Sequence, residues 1–174
     1  MLISLSGTPG TGKTTVARIL ARLFGTRLIT TAYLVKKYKI KTSLDKKRNT
    51  KMIDTKKLAA AANKEVRDDC IFEGHLSHFV KADISIILRT SPKELESRLR
   101  KKGWSYKKIM ENVEAEAMGI ISSEAHGIEI DTTKKSPENI ARLIIKILNN
   151  YSLQRKYLKK IDWTENYAKY LKGL

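Results

Sequence analysis

The sequence holds a single cysteine, Cys70, so no disulfide can close within the chain. Three scattered histidines complete no zinc-type ligand set with it, and no structural metal site is expected. Acidic residues are scarce: 18 Asp and Glu against 35 Lys and Arg leave a formal charge of +17. Long hydrophobic runs are missing as well. The most apolar stretch, Ile140 to Leu148, is broken by Arg142 and Lys146 and falls well short of the roughly 18 residues a bilayer span needs, which excludes a membrane-spanning reading. The opening MLISLSGTPG has no basic segment of the secretory kind and runs straight into a glycine-rich motif. A cytoplasmic protein is expected, or a nuclear one in a eukaryote. Repeats and low-complexity linkers are lacking. With 41% hydrophobic residues in 174, the chain can bury one core but not two in tandem, and the apolar content argues against disorder.

What is present alternates between two periods. Leu2 to Ser6 reads as a short buried strand ending at Gly7, and Lys13 to Phe24 as a helix with Val16, Ile19, Leu20 and Leu23 on one side. Arg27 to Thr30 suits a second strand, with a helix near Ala32 to Tyr38 and a polar, lysine-rich, mobile lobe from Lys39 to Lys51. Asp54 can cap a helix through Leu58 to Val66; Cys70 to Glu73 and Ile84 to Leu88 read as buried strands. Ser91, Pro92 and Glu94 form a helix start with a capping box, and Gly103 is the stop. One helix is expected from Tyr106 to about Glu124, a last strand at Ile128 to Ile130, and a helix opened by Ser136 and Pro137. Five strands alternating with helices imply an α/β fold, a parallel sheet with helices on both faces.

The sharpest signal is Gly7-Thr8-Pro9-Gly10-Thr11-Gly12-Lys13-Thr14, a full G-x-x-x-x-G-K-[ST] phosphate loop. Glycines let successive N–H groups face one anion, and the helix starting at Lys13 adds its positive end. Lys13 would reach the β- and γ-phosphates of a nucleoside triphosphate and Thr14 would ligate Mg²⁺. A carboxylate that completes the metal shell is expected at the end of a neighbouring strand, where CIFE ends in Glu73. His75, two residues on, can orient an attacking group or contact the transferred phosphoryl group. No N-K-x-D-like guanine signature is present, and the chain is too small for a motor core, so a small kinase is the expected class.

Several segments together resemble the adenylate kinase isoenzyme 6 family of archaea and eukaryotes: GTPGTGKTT at 7–15, EGH at 73–75, ILRT at 87–90, the run from Glu96 to Glu116, and EIDTT at 129–133. The resemblance implies a three-layer nucleoside-monophosphate-kinase fold in one domain over 1–174. It implies an acceptor lobe at about 31–69 and a short lid at about 98–108. The implied donor site is ATP with Mg²⁺ on Gly10, Thr11, Gly12, Lys13, Thr14 and Thr15, with Arg98 and Lys102 from the lid. The loop from Thr133 to Pro137, with Lys135 in it, would cradle adenine. Lys36 and Asp54 would serve an acceptor such as AMP. Implied partners are a small-subunit ribosomal protein or ribosomal RNA, and the implied activity is ATP plus AMP to two ADP, with ATPase activity, in small-subunit maturation. Two alternatives stand beside it: a nucleotide-gated assembly factor with little kinase activity, and a small-molecule kinase with another acceptor. A monomer or small oligomer is expected.

The chain departs from that family in charge. Residues 36–67 carry twelve Lys or Arg against three acids, and residues 151–174 add six against two with five interleaved aromatics. Such surfaces suit RNA phosphates and unpaired bases. In the tail, the near-helical spacing of Leu153, Tyr157, Leu158 and Ile161 equally suits docking on the core.

Overall fold

A computed structural model describes residues 1–45, 50–66 and 69–173. The strands are β1 (Leu2–Ser6), β2 (Arg27–Thr30), β3 (Thr42–Asp45), β4 (Thr50–Ile53), β5 (Cys70–Glu73), β6 (Ile84–Arg89) and β7 (Ile128–Asp131). The helices are α1 (Lys13–Phe24), α2 (Thr31–Lys37), α3 (Thr55–Glu65), α4 (Pro92–Lys101), α5 (Tyr106–Ala117), α6 (Ile120–Glu124), α7 (Pro137–Leu148), α8 (Tyr151–Tyr157) and α9 (Thr164–Leu171).

Five strands form one parallel sheet in the order β2-β5-β1-β6-β7. Every residue of β1 is buried, as a strand covered on both faces requires. Ile3 and Leu5 pack with Val16 and Leu20 of α1 and Ile140 and Ile144 of α7. On the other face Leu2 joins Ile29, Cys70 and Phe72 against Leu34 of α2 and Leu58 of α3. This is the α/β architecture the alternating pattern predicts, with the sheet between two helical layers. Because β1 lies between β5 and β6, the chain leaves it in one direction and returns on its other side, which opens a crevice at the carboxyl ends of these strands. Register places Glu73 of β5 opposite Leu5 of β1 at that edge.

Leu95 and Leu99 of α4 meet Ile109 and Val113 of α5, and Trp104, Tyr167 and Tyr170 pack against them. The tail therefore lies back on the body: α9 covers this cluster, while Leu153 and Tyr157 of α8 pack against the cluster beneath α1 and α7. At the opposite end Glu65 of α3 gathers four side chains. Arg27 (3.0 Å), Lys37 (2.8 Å), the Tyr33 hydroxyl (3.0 Å) and the Tyr38 hydroxyl (2.9 Å) all donate to its carboxylate. These bonds, Lys37 foremost, hold it down to about 2. Among the described residues no helix is long and apolar enough to cross a membrane.

Three local expectations need correction. The single helix over 106–124 is two helices, because Gly119 adopts φ 62° and turns the chain. Within the lysine-rich stretch 39–51, β3 and β4 form an antiparallel hairpin pairing Thr42 with Ile53 and Ser43 with Met52; residues 46–49 lie outside the described residues. At α4 the expected capping box does not close. Glu94 accepts from Arg98 Nε at 2.9 Å, and Ser91 instead donates its backbone N–H to Thr133 Oγ1 at 2.9 Å. Asp54 and Ser136 do cap α3 and α7, accepting from the backbone of Lys57 and Asn139.

Candidate active site

The phosphate loop lies in the crevice, joining β1 to α1. Gly7 has φ 139°, and a Cβ there would come within 2.3 Å of the Leu88 carbonyl oxygen, so only glycine lets the loop pass β6. The Thr8 carbonyl is the loop's inner anchor. It accepts from the backbone N of Thr11 (3.2 Å), Thr11 Oγ1 (2.9 Å) and Lys13 Nζ (3.0 Å). Lys13 is buried, and loss of solvent lowers its ammonium to about 8 even though the charges of Glu73 and Glu116 pull the other way. An arriving polyphosphate would supply the counter-charge.

Thr14 Oγ1 donates to both Glu73 oxygens, at 3.3 and 3.2 Å. A hydroxyl and a carboxylate side by side are hard oxygen donors of the kind Mg²⁺ takes when phosphate oxygens and water fill the rest of its octahedron. The residues present fit that ion: Thr14 and Glu73 would hold it. Gly74 follows at φ 153°, where a Cβ would meet Thr31 Oγ1 at 2.1 Å, so the start of α2 presses directly on the end of β5. His75 lies beyond it in the cavity wall, one part of the residue open to solvent and the ring partly screened. Loss of solvent around the ring, then the Lys13 and His78 charges, push it below its ordinary value, so it is neutral at pH 7.

Two cavities meet at the loop. One, of about 620 Å³, is lined by Lys13, Thr14, Glu73, His75 and Arg18 together with Thr31, Ala32, Val35, Thr42 and Ile53 of the lobe. The other, of about 480 Å³, lies on the α4 side and is lined by Thr11, Arg98, Thr132, Lys135 and Pro137. Gly10, Gly12, Thr15 and Lys102 line both. The structure thus brings together every donor-side residue singled out in the sequence. Arg98 is pinned rather than free: it donates to Gly10 O (3.4 Å), Thr132 Oγ1 (3.1 Å) and Thr132 O (2.7 Å), stitching α4 to the loop. Lys135 Nζ donates to Asp131 O at 2.8 Å.

The two expected acceptor residues are not brought in. Lys36 is exposed and does not line the 620 Å³ cavity, because α2 turns Val35 toward it and Lys36 away. Asp54 is occupied in capping α3 and lines not that cavity but an adjoining recess of about 580 Å³ that shares Thr42 and Ile53 with it. Arg18 is a basic side chain that does line this cavity. Its signal was its spacing, one helical turn beyond Thr14. His78 was also missed: its buried ring joins Ser6 Oγ (Nδ1, 3.0 Å) to Glu124 (Nε2, 3.1 Å) beneath the loop, and burial pushes it below its ordinary value.

Residues 3–119 match a family model described as an AAA domain. A Methanocaldococcus jannaschii protein named "Putative adenylate kinase" is 38% identical over 98% of this chain and 97% of its own. An Archaeoglobus fulgidus protein of the same name is 40% identical over 94% and 92%. Among solved structures, shikimate kinase from Acinetobacter baumannii superposes with a TM-score of 0.61 at 17% identity, covering 85% of this chain and 92% of that one. Deoxyadenosine kinase from M. mycoides gives 0.55 at 18% identity, over 86% and 100%. These last two likenesses are of fold.

Proposed function

Because the chain belongs to the P-loop family of these archaeal adenylate-kinase-named proteins, we propose that it is a nucleotide kinase that moves the γ-phosphoryl group of ATP onto the phosphate of AMP, giving two ADP. The observation that carries this reading is the pair of cavities meeting at one phosphate loop, with Gly10, Gly12, Thr15 and Lys102 common to both. A donor nucleoside fits the Arg98, Thr132 and Lys135 side and an acceptor the Arg18, Thr31 and Val35 side, so that the two phosphates face each other across Lys13. Phosphoryl transfer needs positioning and charge stabilisation more than a strong base. The loop N–H groups and Lys13 hold the β- and γ-phosphates. Mg²⁺ on Thr14 and Glu73 would neutralise charge between them. Lys102, exposed at the junction, reaches toward the transferred group, and neutral His75 hydrogen-bonds the incoming nucleophile. With the acceptor cavity empty, water takes the acceptor's place and the reaction is a slow ATPase. ADP formation from MgATP, measured with and without AMP, tests this: acceleration by AMP supports the kinase, and indifference to AMP overturns it.

One observation favours a second reading. Lys39, Lys41, Lys57 and Lys64 surround a cleft of about 390 Å³ on the far side of the lobe, a surface suited to an RNA backbone. On this reading the protein is a nucleotide-gated factor of small ribosomal subunit assembly, with ribosomal RNA or a ribosomal protein as partner and ATP turnover as its release step. Salt-sensitive, stoichiometric RNA binding that differs between ATP and ADP, without AMP phosphorylation, would select it.

A further inference from the structure

Arg89, the last residue of β6, is 1% exposed. A guanidinium so buried must find carboxylates, and it finds two, Glu116 of α5 and Glu129 of β7, each 2% exposed. Nε donates to Glu116 Oε1 at 2.8 Å and Nη1 to Glu129 Oε2 at 3.0 Å; Nη2 takes the Glu116 backbone carbonyl at 2.8 Å. Neither carboxylate stops there. Glu116 accepts the Thr90 backbone N–H at 3.0 Å with one oxygen and the Thr8 hydroxyl with the other. Glu129 accepts the backbone N–H of Ile161 at 2.7 Å, and the Ile161 carbonyl receives Arg89 Nη1 at 2.9 Å. At the loop end, Thr8 offers its carbonyl to Lys13 Nζ. An unbroken series of hydrogen bonds therefore runs from the carboxy-terminal segment through Glu129, Arg89, Glu116 and Thr8 to the ammonium at the centre of the site.

A buried ion triad is a poor way to gain stability, since apolar residues of the same volume do as well. What it gains is geometry: five chain segments are fixed relative to one another, and one of them is the phosphate loop. The side chain of Thr8 is turned away from the phosphate side, into Glu116.

We propose that Glu116, held by Arg89, is a positioning residue that sets the phosphate loop through the Thr8 hydroxyl, and that the Ile161 segment completes its support from the tail. The proposal rests on the reading that this loop holds the phosphates of ATP. The side chain of Thr8 touches no reacting group, so its replacement reports on placement alone.

The test is a double-mutant cycle on the full chain, with Thr8→Val, Ile161→Pro and their combination, and Thr8→Ser as the conservative rescue. ADP formation, ATP binding by calorimetry and thermal unfolding are measured on each. Thr8→Val keeps the ion triad and the shape but removes the donor. It should lower kcat about tenfold or more and weaken ATP binding at least fivefold, and Thr8→Ser should restore both. Ile161→Pro removes the N–H to Glu129 and should lower kcat in the same way, with the double variant no worse than Thr8→Val alone. A kcat for Thr8→Val within twofold of the parent would overturn the proposal, and so would losses that add or that track the melting temperature. If the parent binds ATP without transferring phosphate, the kinase reading fails on its own. The positioning role is then decided by binding: weakening by at least fivefold in Thr8→Val but not in Thr8→Ser supports it, and equal affinities overturn it.

Discussion

Replacing Lys13 with Met should make the ligand-free protein more stable while removing its grip on a triphosphate. Lys13 is 8% exposed, and burial takes its ammonium from the ordinary 10.5 to about 8. Each unit is worth about 1.4 kcal/mol, so the charged form costs the folded state roughly 3 kcal/mol wherever Lys13 is protonated in both states. Met has similar length and no charge to desolvate. A gain of about 1–3 kcal/mol is expected at pH 7 once the lost bond to the Thr8 carbonyl is allowed for. The gain must depend on pH in a fixed sense. Below pH 8 both folded and unfolded lysine are protonated and the full cost is present. Between 8 and 10.5 the unfolded chain holds the proton that the folded one has released, so the parent gains stability as pH rises and the gap closes. Urea unfolding without nucleotide at pH 7, 8.5 and 10 measures it. Saturating MgATP should then stabilise the parent and not the variant. A variant less stable than the parent at pH 7, or a gap that does not shrink by pH 10, would refute the reasoning.

Other expectations follow from single contacts. Glu73→Gln should keep its hydrogen bond from Thr14 and its fold but lose turnover on the order of 100-fold, most severely at low Mg²⁺ in a magnesium titration. Arg98→Ala frees α4 from Gly10 and Thr132 and should weaken ATP about tenfold while leaving KM for AMP unchanged, as read by initial rates at varied substrates. Gly74→Ala forces a Cβ onto Thr31 at φ 153° and should cost about 1–3 kcal/mol in chemical denaturation; an unchanged midpoint would contradict the close approach of α2. His78 is held below its ordinary value, so the unfolded chain takes up its proton first as pH falls through 6.5 and stability drops; in His78→Gln that acid limb should be flatter in thermal scans.

The donor side was legible because each of its residues sits at a forced place. The loop glycines, Lys13 and Thr14 follow a strand and open a helix, and Glu73 ends a strand whose three apolar residues, Cys70, Ile71 and Phe72, already predicted a buried one. Adjacency of β5 to β1 supplied the rest. The acceptor side was less legible. Lys36 and Asp54 rested on a family position, and the actual facing of a seven-residue helix depends on which residue its neighbour buries, here Leu34 under α3. The Arg89 triad left a weaker trace. Glu116 lies between Val113 and Ala117 on the apolar stripe of α5, a carboxylate where a hydrophobic residue belongs, and that misfit was the signal for a buried partner. Gly119 inside an apparently continuous helix was another such signal, since its left-handed turn is what carries the chain past Arg89.

The Glu65 cluster divides the lobe into an anchored base and a hairpin beyond it. Its four donors come from β2, from α2 and from the residue that ends α2, and they lock the base of the lobe to α3. With a carboxylate that stays ionised down to about pH 2, mild acid does not release this lock. Beyond it the chain passes through Lys39, whose φ of 49° is already left-handed, before entering the hairpin, and it leaves the hairpin directly into the Asp54 cap. The hairpin is therefore joined to the locked base by two short connections, 39–41 on one side and Asp54 on the other. Thr42 and Ile53, which line the 620 Å³ cavity, lie immediately past them. The Thr42 and Ile53 wall of that cavity is therefore held at two points on a post that Glu65 keeps in place.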